Sequence, residues 1–108
     1  MMTIDDLCAL LDGLEIPWSN EGYTDDDRPE PPYISLEAGL VETAYADNKV
    51  WASWMTYEIL LYTRHRSYEL ESKIEKALED AGCAFSESVA HADNEDMIVA
   101  SFVVAVTE

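Results

Sequence analysis

The residues of this 108-residue chain that could do chemistry are few: two histidines, two cysteines, a run of aspartates and one glutamate on an apolar stretch. His91-Ala92-Asp93 could place two metal ligands at one strand end, but a zinc site needs three or four and the neighbouring sequence offers no third. Asp25-Asp26-Asp27 has the Asp-x-Asp spacing of calcium loops. The glycine and the distant bidentate glutamate of such a loop are missing, and Arg28-Pro29 follows, so the run reads as solvated charge. Cys8 and Cys83 stand far apart in apolar surroundings and read as reduced thiols. Glu58 has no base, nucleophile or partner near it in sequence. The chain shows no glycine-rich phosphate loop, Gly-x-Ser-x-Gly elbow, Cys-x-x-Cys or His-Glu-x-x-His. It is read as a non-enzyme, with no catalytic residue, no cofactor and no metal.

Charge points elsewhere. Six Lys and Arg against 23 Asp and Glu give a net charge of −17. Nucleic-acid backbones and anionic lipid would repel such a chain, so neither nucleic acid nor membrane is expected as a partner. No apolar run approaches the ~18 residues of a membrane span. The acidity suits a soluble protein held apart from its own copies, or an acidic DNA mimic that inhibits a nucleic-acid-binding protein. The N-terminus is acidic early and lacks the basic and apolar regions of a signal peptide, so synthesis in the cytosol is expected.

The elements that must position these residues form one domain, 1–108, of α+β class. Ile4, Leu7, Cys8 and Leu11 make one helical stripe, so a helix is predicted over Thr3–Leu11, with Thr3 as N-cap, Asp6 completing a capping box and Gly13 as the stop. Leu14–Trp18 reads as extended, and Ser19–Pro32, rich in Asp, Pro and Gly, as a long loop that is poorly ordered in the free subunit. Strands follow at Tyr33–Tyr45 and Val50–Thr63, joined by the Asp47-Asn48 turn, with Trp51, Met55, Tyr57, Ile59 and Leu61 on one face. Ser67–Ala81 is the clearest helix, capped by Ser67 and closed by Gly82. Strands at Cys83–His91 and Met97–Val106 complete the order α-β-β-β-α-β-β. The last is apolar on both faces and must be central or covered. This pattern predicts a mostly antiparallel sheet with two helices packed on it.

Trp18, Trp51, Trp54, Tyr57 and Tyr62 are many aromatics for so small a core, which points to a protein–protein interface. The candidate interface residues are Tyr23, as an anchor on the long loop; Asp25, Asp26 and Asp27; Trp51 and Trp54; and Arg64 and Arg66. The two arginines flank His65 in the one basic cluster and could meet an acidic patch, such as the aspartate run, on the next subunit.

Three segments, in order, carry a family likeness. They are Gly13-Leu14-Glu15-Ile16-Pro17-Trp18 with Glu21-Gly22; Pro31-Pro32-Tyr33-Ile34-Ser35-Leu36; and Tyr57-Glu58-Ile59-Leu60-Leu61-Tyr62-Thr63, followed by a basic turn and a helix ending Ala81-Gly82. Together they cover most of the chain, which thereby resembles the small tail-terminator and head–tail joining proteins of long-tailed bacteriophages and prophages. The resemblance implies a structural virion protein without enzymatic activity. It also implies a ring of identical subunits, usually hexameric, that ends the tail tube and contacts the tail-tube protein and the head connector proteins. Assembly in the bacterial cytoplasm and residence in the virion tail follow from it. The aromatic richness of Trp51 to Met55 and the charge of −17 depart from what the family leads one to expect.

Overall fold

A computed structural model describes residues 3–24, 28–46, 49–91 and 97–106, without the side chains of 40–46, 49–54 and 91. The elements are α1 (Ile4–Gly13), β1 (Trp18–Asn20), β2 (Tyr33–Ala46), β3 (Lys49–Thr63), α2 (Tyr68–Asp80), β4 (Phe85–His91) and β5 (Ile98–Val106). They give the α+β fold that the periodicities predict, in the same order. Both helix starts follow local chemistry. The Thr3 hydroxyl accepts from Asp6 N–H while the Asp6 carboxylate accepts from Thr3 N–H, and the Ser67 hydroxyl accepts from Leu70 N–H at 3.3 Å. α2 ends as its sequence foretells, with Cys83 N–H reaching back to Leu78 C=O at 2.9 Å just past Gly82. α1 runs through Gly13 instead of stopping before it; Leu14 is the cap, its N–H bonded to Leu11 C=O.

The five strands form one sheet in the order β1-β2-β3-β5-β4, antiparallel throughout except for β1 alongside β2. β1 lies further along the chain than the extended segment read at Leu14–Trp18. Pro17 cannot donate to a ladder, so pairing begins after it, and its carbonyl accepts from Ile34 N–H at 2.8 Å. β5 is central, as its two apolar faces require, and fills the slot between β3 and β4.

The core occupies one side of this sheet. Ile34 and Leu36 of β2, Ile59 and Leu61 of β3, and Ala100, Phe102, Val104 and Val106 of β5 are buried against Leu7 and Leu11 of α1 and Ile74 and Leu78 of α2. Strand alternation turns Glu37, Glu58, Leu60, Tyr62, Val99, Ser101 and Val103 to the other side, which no helix covers among the described residues. The connection from β1 to β2 crosses one end of that open face. Glu21 N–H bonds Leu36 C=O at 2.7 Å, and the Tyr23 ring meets Tyr33 edge-on with centroids 5.5 Å apart.

Candidate functional site

Three features outside the core have shapes that could serve another molecule. The first is a two-stranded ribbon. Among the described residues β3 pairs with β5 only from Met55 onward, whereas its Lys49–Trp54 stretch continues to pair with β2, from Glu42↔Trp54 to Ala46↔Lys49. At ~3.3 Å per residue the six extra residues reach about 20 Å past the end of β5, within a molecule 49 Å long. The ladder shifts register between Ala38 and Val41, at the ribbon's base. Gly39 sits at this shift, where a Cβ would stand 2.9 Å from the Thr56 carbonyl oxygen, so only a bare backbone fits. Across residues 40–54 the charged residues are Glu42, Asp47 and Lys49, a net charge of −1 in a chain of −17. The ribbon sequence also holds Val41, Tyr45, Val50, Trp51 and Trp54.

The second is a cleft on the open face, under the β1–β2 connection. It encloses about 180 Å³ and is lined by Gly22, Tyr23, Arg28, Tyr33, Ser35, Glu37 and Tyr62. Tyr33 stacks on Tyr62 with ring centroids 4.9 Å apart. Beside the cleft, Glu37 and Glu58 face each other across the β2–β3 ladder. Glu58 accepts from the Ser101 hydroxyl at 2.6 Å.

The third is a carboxyl cluster where α2 meets β4. Glu71, one turn into α2, is only 4% exposed, and the Arg66 guanidinium donates to it at 3.3 and 3.4 Å. This bond holds Arg66 above its ordinary pKa. Arg66 also lies 4.5 Å over the Tyr68 ring. Glu87 of β4 is pushed up to about 7, first by a side-chain hydrogen bond with Glu75, then by burial and by the charges of Glu75 and Glu71, with Arg66 opposing.

The residues singled out in the sequence separate among these features. Tyr23 turns inward onto Tyr33 and lines the cleft; burial raises its pKa. Arg64 pairs with Glu30 at 3.0 Å and Arg66 with Glu71, so both arginines have partners within the subunit. Trp51 and Trp54 lie on the ribbon's backbone ladder, but their side chains fall outside the described residues. Asp25, Asp26 and Asp27 lie outside the described residues altogether, as do Ala92, Asp93 and the His91 side chain. Cys8 and Cys83 are free thiols, half-buried, with pKa values raised first by burial. Among the described residues no three His, Cys, Asp or Glu side chains are grouped to hold a metal, and no helix is long and apolar enough to cross a membrane.

Two features escaped the sequence reading. Glu71 reads as one more charge on a solvated helix face; its signal was Arg66 at the turn five residues earlier. The cleft gave no signal, because Gly22, Ser35 and Tyr62 come together only through the sheet. No protein-family model matches the chain, and no curated protein matches it.

Proposed function

We propose that this chain is a structural subunit of a long-tailed phage or prophage particle, which ends the tail tube and joins it to the head as a ring of copies. The observation that supports this most is the β2–β3 ribbon. An isolated two-stranded hairpin is marginal in water, and this one carries both strands' outer edges unpaired among the described residues and is rich in aromatics. Such an arm gains most when a neighbouring subunit covers it. Its net charge of −1 makes it the segment on which subunits of −17 can meet with least repulsion. On this reading the role is architectural, without catalysis or cofactor, and the tail-tube protein and head connector proteins are the outer neighbours.

The test is complementation in vitro. Purified protein is mixed with tailless heads and terminator-deficient tails, and joined particles are counted by electron microscopy and plaque titre. Wild-type protein restores joining, and a variant with Trp51 and Trp54 changed to Ser does not. Failure of the wild type to restore joining, together with tight binding to a basic nuclease, would replace this reading with that of an acidic DNA mimic.

A further inference from the structure

β4 ends the sheet on the side away from β1. It pairs with β5 along its whole length, from Phe85↔Val104 to His91↔Ile98, and no described strand lies along its other side. Alternate N–H and C=O groups of the strand therefore point outward, ready to pair with a further strand. Edge strands are normally guarded by a lysine, a proline or a bulge. Phe85–His91 holds no lysine and no proline, and its register with β5 runs without a shift. Its one acidic residue, Glu87, is hydrogen-bonded with Glu75 of α2. On the open sheet face its side chains are Ser86, Ser88 and Ala90, exposed, short and uncharged, so they leave room for a close backbone approach.

The ribbon offers the matching half. Residues 40–46 and 49–54 pair only with each other among the described residues, so each of its strands has a free outer edge of a length comparable to β4. Ribbon and edge are also the two places where contact between copies costs least charge. Each carries a net charge of −1, with histidine neutral, in a chain of −17.

We propose that the β2–β3 ribbon of one copy lies along the β4 edge of the next and extends that sheet by strand addition. This rests on the reading that copies of the chain associate through the ribbon, and it names the surface that the ribbon meets. Pairing of two β4 edges with each other is the poorer arrangement. α2 lies beside β4, and a twofold axis there would bring together two helices that each carry five acids against two lysines. Ribbon and edge are different surfaces of one subunit, so each copy gives one and accepts one. Such a head-to-tail contact closes into a ring when the rotation allows and otherwise continues as a filament.

The experiment mixes two blocked subunits. Ser88→Lys with Ala90→Lys guards the edge and leaves the ribbon intact; Trp51→Ser with Trp54→Ser blocks the ribbon and leaves the edge intact. Sedimentation velocity is run at about 1 M NaCl, where the Debye length is ~3 Å. Each variant alone should stay monomeric. The equimolar mixture should form dimers and stop there, with a Kd about tenfold or more below that of either variant alone. Amide hydrogen exchange across residues 85–91 of the ribbon-blocked partner should slow in the mixture. Ala9→Lys with Ser72→Lys, which adds the same charge at exposed helix positions, should associate at least as well as wild type. Ser86→Lys with Ser88→Lys is a second guarded edge should the first variant lose its core amide spectrum. The proposal is overturned if the ribbon-blocked variant dimerises alone, which would mean that edge meets edge. It is also overturned if an edge-guarded variant associates alone as wild type does, which would mean that ribbon meets ribbon, or if the mixture of folded variants stays monomeric. Head–tail joining is not part of the readout, so dimers in the mixture without joining by the wild type would refute the phage role and leave the contact standing.

Discussion

Glu75 and Glu87 share a hydrogen bond that requires one of the two carboxyls to keep its proton. Glu87 therefore holds a proton in the folded protein up to about pH 7, whereas the unfolded chain releases it near the ordinary glutamate value of 4.5. Between those limits the native state binds more protons than the unfolded state, so stability falls as pH rises. The contribution is whole below pH ~4.5 and gone once pH passes ~7. The groups facing Glu87 are Glu71 and Glu75 from α2 and Arg66 from the turn before it. Glu87→Gln keeps a hydrogen-bonding group without a titrating proton. It should flatten this part of the stability profile, leaving a higher melting temperature than wild type at pH 8 and no advantage at pH 4.5, as read by calorimetry across that range. A variant profile parallel to wild type would mean that other carboxyls set the slope.

At the scale of elements, the point where the ribbon leaves the sheet is the most demanding position in the backbone. Gly39→Ala forces a Cβ to 2.5 Å from the Thr56 hydroxyl and 2.9 Å from its carbonyl oxygen. Such overpacking costs about 1–3 kcal/mol, readable as a lower urea midpoint. Gly13→Ala, with nothing within 4 Å of the added carbon, is the control. It should be neutral or stabilising by up to ~1 kcal/mol, since alanine restricts the unfolded chain. The contrast shows which parts of the fold could be read in advance. Helix starts depend on three or four consecutive residues, so Thr3–Asp6 and Ser67 were legible, as was the centrality of a strand like β5. What Gly39 lies against was not legible, because Thr56 reaches it only through the hairpin's register. The cleft depends on contacts between β2, β3 and the connection before β2, and the burial of Glu71 on where Arg66 lands after the turn. Tertiary placement decides both, and no local pattern encodes it. Tyr23 stands out in the sequence as an anchor for a neighbouring subunit; the contact the structure gives it, with Tyr33 of its own chain, was not legible, because it depends on how the connection lies on β2.

For the whole molecule, the balance between a charge of −17 and a low-charge arm governs association. Copies brought side by side repel over a Debye length of ~10 Å at 0.1 M salt and ~3 Å at 1 M. The free protein should therefore be mainly monomeric in dilute buffer and associate as NaCl or Mg²⁺ rises, measured by sedimentation velocity across a salt series. Ser substitutions at Trp51 and Trp54 should remove that salt-driven association without lowering the melting temperature by more than a few degrees, because their stretch of β3 pairs with β2 alone among the described residues. Association that weakens with salt would mean that ion pairs between subunits, not the arm, hold copies together.

The order of the strands also bears on how the chain is made. β5 is synthesised after every strand that it touches, yet it belongs in the middle, with β3 on one side and β4 on the other. Until residues 98–106 leave the ribosome, β4 has no strand to pair with and Phe102 is missing from the core. The β2–β3 hairpin can close early, being local, but the sheet is completed only by threading its central strand last. A nascent chain stalled before Ile98 should remain protease-sensitive in α2 and β4 while its hairpin is already formed, and release of the final segment should close the whole domain in one step.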